Sequence, residues 1–321
     1  MNMLVSTLAL LVERRWGYPT PLLDAIGHPV MWFGRLIDSL ETRLNRPDQS
    51  PEHRRRGGII GLAALLITVL VVTVLIRDLT NRIPHGWIIE MVLATSLLAQ
   101  KELGRSVRAV AEALRQSLPA GREAVSQIVG RDPQALDEAG VARAAVETLA
   151  ESTSDGVVAP LFFLALFGLP GIALYKAVNT ADSMIGHLNA RYRDYGWASA
   201  KLDDVLNWIP ARLTLVLITI ACFFAPGASP GKAWAIAQRD ARKHESPNAG
   251  WPEAAFAGAL GFKLGGPRAY AGEEVDLPAF GDGRAELRPT HILLALELYN
   301  RTLTVLVCFC GAIAVMQLIS A

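Results

Sequence analysis

The sequence predicts an all-α, polytopic membrane bundle, and three observations carry that prediction. Of 321 residues, 51% are hydrophobic and only 19% charged, with a mean hydropathy of +0.30, too apolar for a soluble domain of average composition. Several apolar runs approach the ~20 residues that a helix rising about 1.5 Å per residue needs to cross a hydrocarbon core of about 30 Å. The polar stretches between those runs carry the three-to-four residue periodicity of helices.

Taken in order, the apolar run Met3 to Val12 has no basic stretch before it and no small-residue cleavage pattern after it, so it is expected to remain as a first helix. Ile59 to Ile76 is a clean span. Gly86 to Gln100 is shorter and carries Glu90, a carboxylate that neighbouring helices must shelter if the segment crosses. Leu103, Val107, Val110, Ala111, Leu114 and Leu118 recur at helical spacing opposite Arg105, Arg108, Glu112 and Arg115, which predicts an amphipathic helix. Asp132-Pro133 is a start signal for the next helix, with Gly140 as a dividing point before Val141 to Ser154. Val157 to Val178 is long enough to span but contains Pro160 and Leu169-Pro170-Gly171, so it is expected as a broken or kinked helix packed inside protein. Trp208 to Ala225 and Leu303 to Ile319 bring the total to about four or five spans. No repeat, low-complexity tract or flexible linker divides the chain, and residues 1–321 read as a single integral-membrane domain.

The formal net charge is +1 and no charged tail is present, so electrostatics gives no ground for a nucleic-acid partner. Arg54, Arg55 and Arg56 precede the first strong span, and Lys101, Arg105 and Arg108 follow the second segment; the positive-inside rule places both flanks in the cytoplasm and the loop Arg77 to His85 outside. Cys222, Cys308 and Cys310 all lie in apolar runs, which predicts neither a disulfide framework nor a zinc site.

Ionisable groups beside apolar segments are costly and mark function. Three clusters stand out. Glu147, Glu151 and Asp155 stack like charges on one helix face at i, i+4 and i+8, a repulsion that a hard cation such as Mg²⁺ relieves, with Arg143 and solvent as the bland alternative. Lys176, Asn179, Asp182, Ser183, His187, Asn189 and Tyr192 leave the broken segment, and Asp203, Asp204, Asn207 and Arg212 enter the next; mutual pairing as interhelical glue is the alternative there. The third cluster runs from Arg239 to Glu253. Arg239, Lys243 and His244 supply positive charge, while Ser246, Asn248 and Gly250 precede a helix expected to begin near Pro252, whose N–H groups favour a phosphate. Gly258, Gly261, Gly265 and Gly266 fit a close-packing surface, and no P-loop occurs. His28, His53 and His291 are isolated in the sequence and read as polar or interfacial residues in preference to ligands.

At these clusters the chain resembles the CobD/CbiB family of cobalamin biosynthesis, the adenosylcobinamide-phosphate synthases. The strings that carry the resemblance are Ile128 to Asp132, Glu147 to Pro160, Lys176 to Gly186, Trp197 to Arg212 and Arg239 to Glu253, together with His28-Pro29-Val30 followed by Gly34 and Arg35. They cover nearly the whole chain in order. One departure is visible: members often open on a Leu-Leu-Gly-Asp-Pro-like string, where this chain has Glu13 and then Trp16-Gly17-Tyr18-Pro19.

The resemblance implies a multi-pass enzyme of the cell inner membrane that forms an amide, using ATP, between the free propionate of adenosylcobyric acid and (R)-1-aminopropan-2-ol or its O-phosphate. The expected partners are these substrates and membrane lipid, with self-association or contact with other cobalamin-pathway enzymes. By analogy with other amide ligases, ATP converts the carboxylate to an acyl phosphate that the amine then attacks. On this reading Asp182, Asp203, Asp204 and Lys176 are catalytic. Arg212, Arg239, Lys243, Ser246, Asn248, Asn179, Ser183 and Asn207 bind nucleotide phosphate, corrinoid or amine, and Glu147, Glu151 and Asp155 hold Mg²⁺. Because ATP is cytoplasmic, Glu151 and the Arg239 to Asn248 segment should face that side, with Asn179 to Asp204 folding back into a cytoplasm-facing cavity. A transporter of a corrinoid or other anion is the rival from another class, since broken helices bearing carboxylates also build transport sites; it predicts inverted repeats, and none is found.

Overall fold

The computed structural model describes residues 2–130, 133–266, 268–270, 273–275 and 278–320, without the side chains of Thr20, Arg268–Tyr270 and Glu273–Val275. The helices in chain order are α1 (Asn2–Trp16), α2 (Thr20–Ile26), α3 (Pro29–Leu44), α4 (Pro51–Asn81), α5 (Trp87–Thr95), α6 (Gln100–Gln116), α7 (Leu118–Ser126) and α8 (Glu138–Thr153). A π-helical turn, Ser154–Val158, leads into α9 (Ala159–Ile185), followed by α10 (Trp197–Leu206), α11 (Trp208–Ala221), α12 (Pro230–Asp240), α13 (Gly250–Leu260) and α14 (Pro289–Ile319). Between α13 and α14 lie two short antiparallel pairs, β1 (Leu264–Gly265) with β4 (Ala279–Phe280) and β2 (Arg268–Tyr270) with β3 (Glu273–Val275). The all-α class therefore holds, with a small β excursion that the sequence periodicity did not announce.

Among the described residues three helical stretches are long and apolar enough to cross a membrane, Pro51–Asn81, Glu138–Ile185 and Pro289–Ile319. The broken pair Trp197–Leu206 and Trp208–Phe224 makes a fourth if it counts as one span. Gly86 to Gln100 does not form a span: α5 has nine residues, far short of the ~20 needed, because the chain turns through His85 at φ 60° before it and opens into turns after Thr95.

The helix starts follow local chemistry. At α4 and α12 a serine accepts an N–H of the first turn (Ser50 from His53, Ser229 from Lys232) and a proline follows it. The amphipathic stretch is two helices. Ser117 takes an extended conformation and accepts the Ala120 N–H, and Pro119 follows, so α6 stops at Gln116 and Leu118 belongs to α7. The expected start at Asp132-Pro133 falls partly outside the described residues, since Asp132 is not among them; α8 begins at Glu138 under an Asp137 cap, whose Oδ1 accepts the Gly140 N–H at 2.7 Å, so Gly140 opens this helix instead of dividing it. α13 begins at Gly250, two residues before the expected Pro252.

The chain forms two compact units. The first comprises Met1–Ala99, Ala159–Asn207 and Cys310–Ala321. In it α4 and the last part of α9 run side by side with opposite polarity. Gly61, Leu62 and Leu65 near the start of α4 line a small apolar gap with Ala181 and Ile185 near the end of α9, while Arg77 near the end of α4 reaches Phe167. Gly58 must be glycine, since a Cβ there would lie 1.8 Å from the Tyr195 carbonyl. The expected break in α9 is present: Gly168 adopts φ 68° and ψ −154° ahead of Pro170. The second unit comprises Gln100–Val158 and Trp208–Phe309. Its centre is α13, buried from Gly250 to Ala259 and packed tightly on α12, where a Cβ on Gly258 would lie 2.3 Å from the Lys232 carbonyl. The buried face of α6 consists of Gln100, Leu103, Val107, Val110, Ala111 and Leu114, the apolar members being the stripe read from the sequence.

Candidate functional site

In the first unit the predicted polar residues of α9 and α10 converge. Asp203 is 9% exposed, and its Oδ2 accepts from Asn207 Nδ2 at 2.8 Å, whose Oδ1 in turn accepts from the Tyr175 hydroxyl at 2.8 Å. Asp182 and Asp204 lie near enough to act on the Asp203 carboxylate and Asn179 approaches it as a second amide donor, while its buried Oδ1 has no partner within hydrogen-bonding geometry. Lys176 Nζ donates to Asn179 Oδ1 at 3.2 Å, one turn earlier on α9. A Cβ on Gly186 would fall 2.0 Å from Asp182 Oδ1, so glycine there is a condition of where Asp182 sits. Two predicted members have partners outside this cluster as well. Asp204 pairs at 3.4 Å with the exposed Lys201, and the exposed Ser183 hydroxyl donates back to its own helix at the Asn179 carbonyl.

Sequence reading passed over two parts of this region. His28, whose Nδ1 accepts the Val30 N–H at the start of α3, lies near enough to Lys176 that burial and then that charge hold its imidazole below the usual histidine value. The His-Pro start signal was the available clue. The loop 186–196 is clamped by Glu41, which receives Arg191 Nε at 3.0 Å and Nη2 at 2.8 Å and Asn45 Nδ2 at 2.8 Å. Arg54 closes the clamp on Asn45 Oδ1 and on the Arg191 carbonyl. The Arg191 hydrogen bond, outweighing burial, holds the Glu41 carboxyl below its usual range.

In the second unit the cations expected to bind phosphate are mostly engaged. Asp240, fully buried at 0% exposure, accepts from Arg239 Nε and Nη2 at 2.8 and 2.7 Å, pairs with Lys243 Nζ at 2.6 Å and accepts the Gly281 N–H at 2.9 Å. Burial alone would push this carboxyl up; Arg239, Lys243 and Gly281 together hold it well below the carboxylate range. Arg239 also bonds Asp282 at 2.5 and 3.0 Å. Ser246 Oγ accepts the Asn248 and Ala249 N–H groups, so donors expected to face an anion at the start of α13 already have an acceptor. Arg212 donates to Asn248 Oδ1 at 2.7 Å and lies between the Trp208 and Trp251 rings, 4.6 and 4.8 Å from their centroids. These contacts make the third cluster a self-paired frame more than an open phosphate cradle.

The acidic ladder on α8 is likewise divided. Glu147 is buried and its Oε1 accepts the Gly265 N–H at 2.7 Å, tying α8 to β1. Glu151 is exposed and Asp155 half-buried in the π-helical turn. Among the described residues no group of three His, Cys, Asp or Glu side chains is arranged to hold a metal ion.

Membrane-length helices, one of them broken, with a carboxylate and amide cluster at their polar ends, define a helical integral membrane protein with a built polar site. The family described as CobD/Cbib protein matches residues 6–299, and the chain belongs to that family. It is 48% identical over 313 residues to the Cobalamin biosynthesis protein CobD of Brucella suis, covering 95% of each chain. It is 46% identical to proteins of that name from a Sinorhizobium species, covering 97% of this chain and 98% of the relative, and from Rhodobacter capsulatus, covering 98% of each. No solved structure matches the chain.

Proposed function

We propose that this protein acts in cobalamin biosynthesis at the cell inner membrane. In this reading it joins (R)-1-aminopropan-2-ol or its O-phosphate to the free propionate of adenosylcobyric acid at the expense of ATP. Family membership supports the pathway. The observation that carries the chemistry is the buried Asp203 carboxylate with one unsatisfied oxygen beside Asp182, an arrangement that attracts a cation such as the ammonium of the amino alcohol.

The substrate carboxylate attacks the γ-phosphorus, the bond to ADP breaks, and an acyl phosphate forms. The amine nitrogen then attacks the acyl carbon, the carbon–oxygen bond breaks, and phosphate leaves with that oxygen. The ammonium must first lose a proton, and Asp203 is placed to accept it, with Asn207 and Tyr175 fixing the carboxylate and Asp182 holding the amine. Lys176, partly exposed next to Asn179, is the cation for oxygens that gain charge. A Mg²⁺ ion would be held by one or two carboxylates. Within the second unit Glu151 and Asp155 would be the carboxylates to hold it, whereas Glu147 holds Gly265; the ion would supply charge neutralisation on phosphate.

The test is incubation of the detergent-purified protein with adenosylcobyric acid, Mg-ATP and each amine, followed by mass identification of the corrinoid. An amide product that requires nucleotide supports the reading. Product formed equally without nucleotide overturns the ligase, and corrinoid uptake into sealed vesicles with no amide formed puts a transporter in its place.

A further inference from the structure

The cations of the second unit fall into two groups. Arg239 and Lys243 are neutralised by Asp240 and Asp282. Arg284 and Arg288, both exposed, have no carboxylate within ion-pair distance among the described residues, and both charges act on the buried imidazole of His291.

The loop carrying them is rigidly fixed. Asp240 holds the Gly281 N–H, and Gly281 itself has φ 79°. A Cβ on Gly283 would sit 1.9 Å from the Gly261 carbonyl, which admits only glycine. Arg284 then donates its N–H to Gly261 and accepts from Lys263, both at 2.9 Å. The paired Asp240 centre is thus the anchor from which Arg284 is presented.

His291 occupies the first turn of the 31-residue α14, is 8% exposed and lies edge-on to Phe262 with centroids 5.4 Å apart. Its Nδ1 is 2.8 Å from the Arg288 N–H, a side chain reaching back to the residue before the helix, and its Nε2 is 3.1 Å from Arg284 Nη1. A neutral imidazole has one acceptor nitrogen. If Nδ1 accepts from Arg288, Nε2–H confronts the guanidinium donors. If the proton moves to Nδ1, that N–H confronts the Arg288 N–H instead, and the imidazolium sets donors against donors on both sides. No protonation state satisfies both contacts, so an acceptor with at least two lone pairs at this point relieves the conflict, and the two neighbouring guanidiniums favour an anion there.

We propose that Arg284, His291 and Arg288 form a binding site for a phosphate group, whose oxygens accept from the Arg284 guanidinium and from His291 Nε2–H with the positive end of α14 behind them. A phosphate supplies several acceptor oxygens and the double charge that balances two guanidiniums with no carboxylate partner among the described residues. It can belong to a soluble phosphate compound or to a phospholipid headgroup. The site stands on the geometry of this unit alone and is read by binding, so it survives or fails independently of the amide-ligase reading.

The test uses the full chain in neutral detergent and measures binding of three probes by calorimetry: ATP, inorganic pyrophosphate, and phosphatidylglycerol supplied in mixed micelles. Arg284→Gln, which removes an exposed side chain but leaves the backbone bonds, should weaken the probe that occupies the site at least tenfold and leave the thermal midpoint unchanged. Arg288→Gln should weaken the same probe by a smaller factor. Loss confined to ATP and pyrophosphate identifies a soluble phosphate, and loss confined to phosphatidylglycerol a headgroup; either supports the site. Wild-type affinity of both variants for all three probes overturns it, as does failure of the wild type to bind any probe at millimolar concentration.

Discussion

Asp240 and Asp203 are both buried aspartates near the C-terminal end of a helix, where the helix dipole disfavours a negative charge, yet they are treated in opposite ways. Every oxygen of Asp240 is occupied, by two side-chain cations and a backbone N–H. Asp203 is met by amides alone, Asn207 at hydrogen-bond distance with Asn179 close by, has an oxygen without a partner in hydrogen-bonding geometry, and has carboxylates for neighbours. A buried charge with complete partners fixes structure, and one left incomplete is, in the proposed function, where a cation binds. The difference lies in saturation, because burial is nearly the same.

The comparison breaks first at Asp203. Asp203→Asn should lower amide formation by about 10²- to 10⁴-fold, the range for loss of a general base, while the thermal midpoint stays level or rises as like-charge repulsion is relieved. Turnover within tenfold of wild type would reduce Asp203 to interhelical glue. Asp240→Asn should do the reverse, costing about 3 kcal/mol, near the lower end for breaking a buried ion pair because Arg239 and Lys243 are each half exposed. Thermal unfolding in detergent measures this, and the surviving folded fraction should keep its turnover.

Gly186→Ala sharpens the picture next. A methyl group 2.0 Å from Asp182 Oδ1 and 2.6 Å from the Asp182 carbonyl forces both to shift, so the rate should fall about tenfold, a displacement effect smaller than loss of the base itself. The smallest effect is acid sensitivity. Asp240 and Glu41 both titrate below their unfolded values, so their stabilisation is complete above the ordinary carboxylate range, near pH 4, and is lost as the pH falls through the depressed folded values. Unfolding followed from pH 5 downward should show this loss, and Asp240→Asn should flatten it.

Much of the fold was legible because its signals are local and repeated. The buried stripe of α6 and the break in α9 follow from residues within a few positions of one another. The roles of the charges were less legible, because their partners are distant in sequence: Glu147 meets Gly265 and Glu41 meets Arg191. Within Arg239 to Lys243 a single carboxylate sits among three cations, and nothing local shows that Asp240 is the buried member that Arg239 and Lys243 serve. Arg284 and His291 stayed separate because only the folded loop brings them within 3.1 Å. The convergence on α9 and α10 was legible as composition; the incomplete partnering of Asp203 needed coordinates.

The contact between Arg77 and the Phe167 carbonyl, 3.4 Å long at the break in α9, also works as a depth gauge. On α4 the stretch from Arg56 to Arg77 rises about 31 Å, the thickness of the hydrocarbon core, so these two arginines mark its opposite borders. The break is therefore pinned at the Arg77 border, where a guanidinium can serve a carbonyl that the interrupted helix leaves bare. From Gly168 the chain returns along α4 for about 26 Å to Ile185 and arrives at the border of Arg54, Arg55 and Arg56. Arg54 grips the loop there at Ala190 and Arg191, and Arg55 stacks on Trp197. Asp182 and Asp203 thus lie at the end marked by three arginines, the end that the positive-inside rule favours for the cytoplasm. The single guanidinium of Arg77 fixes the depth at which α9 turns back, a full helix length from carboxylates it never touches.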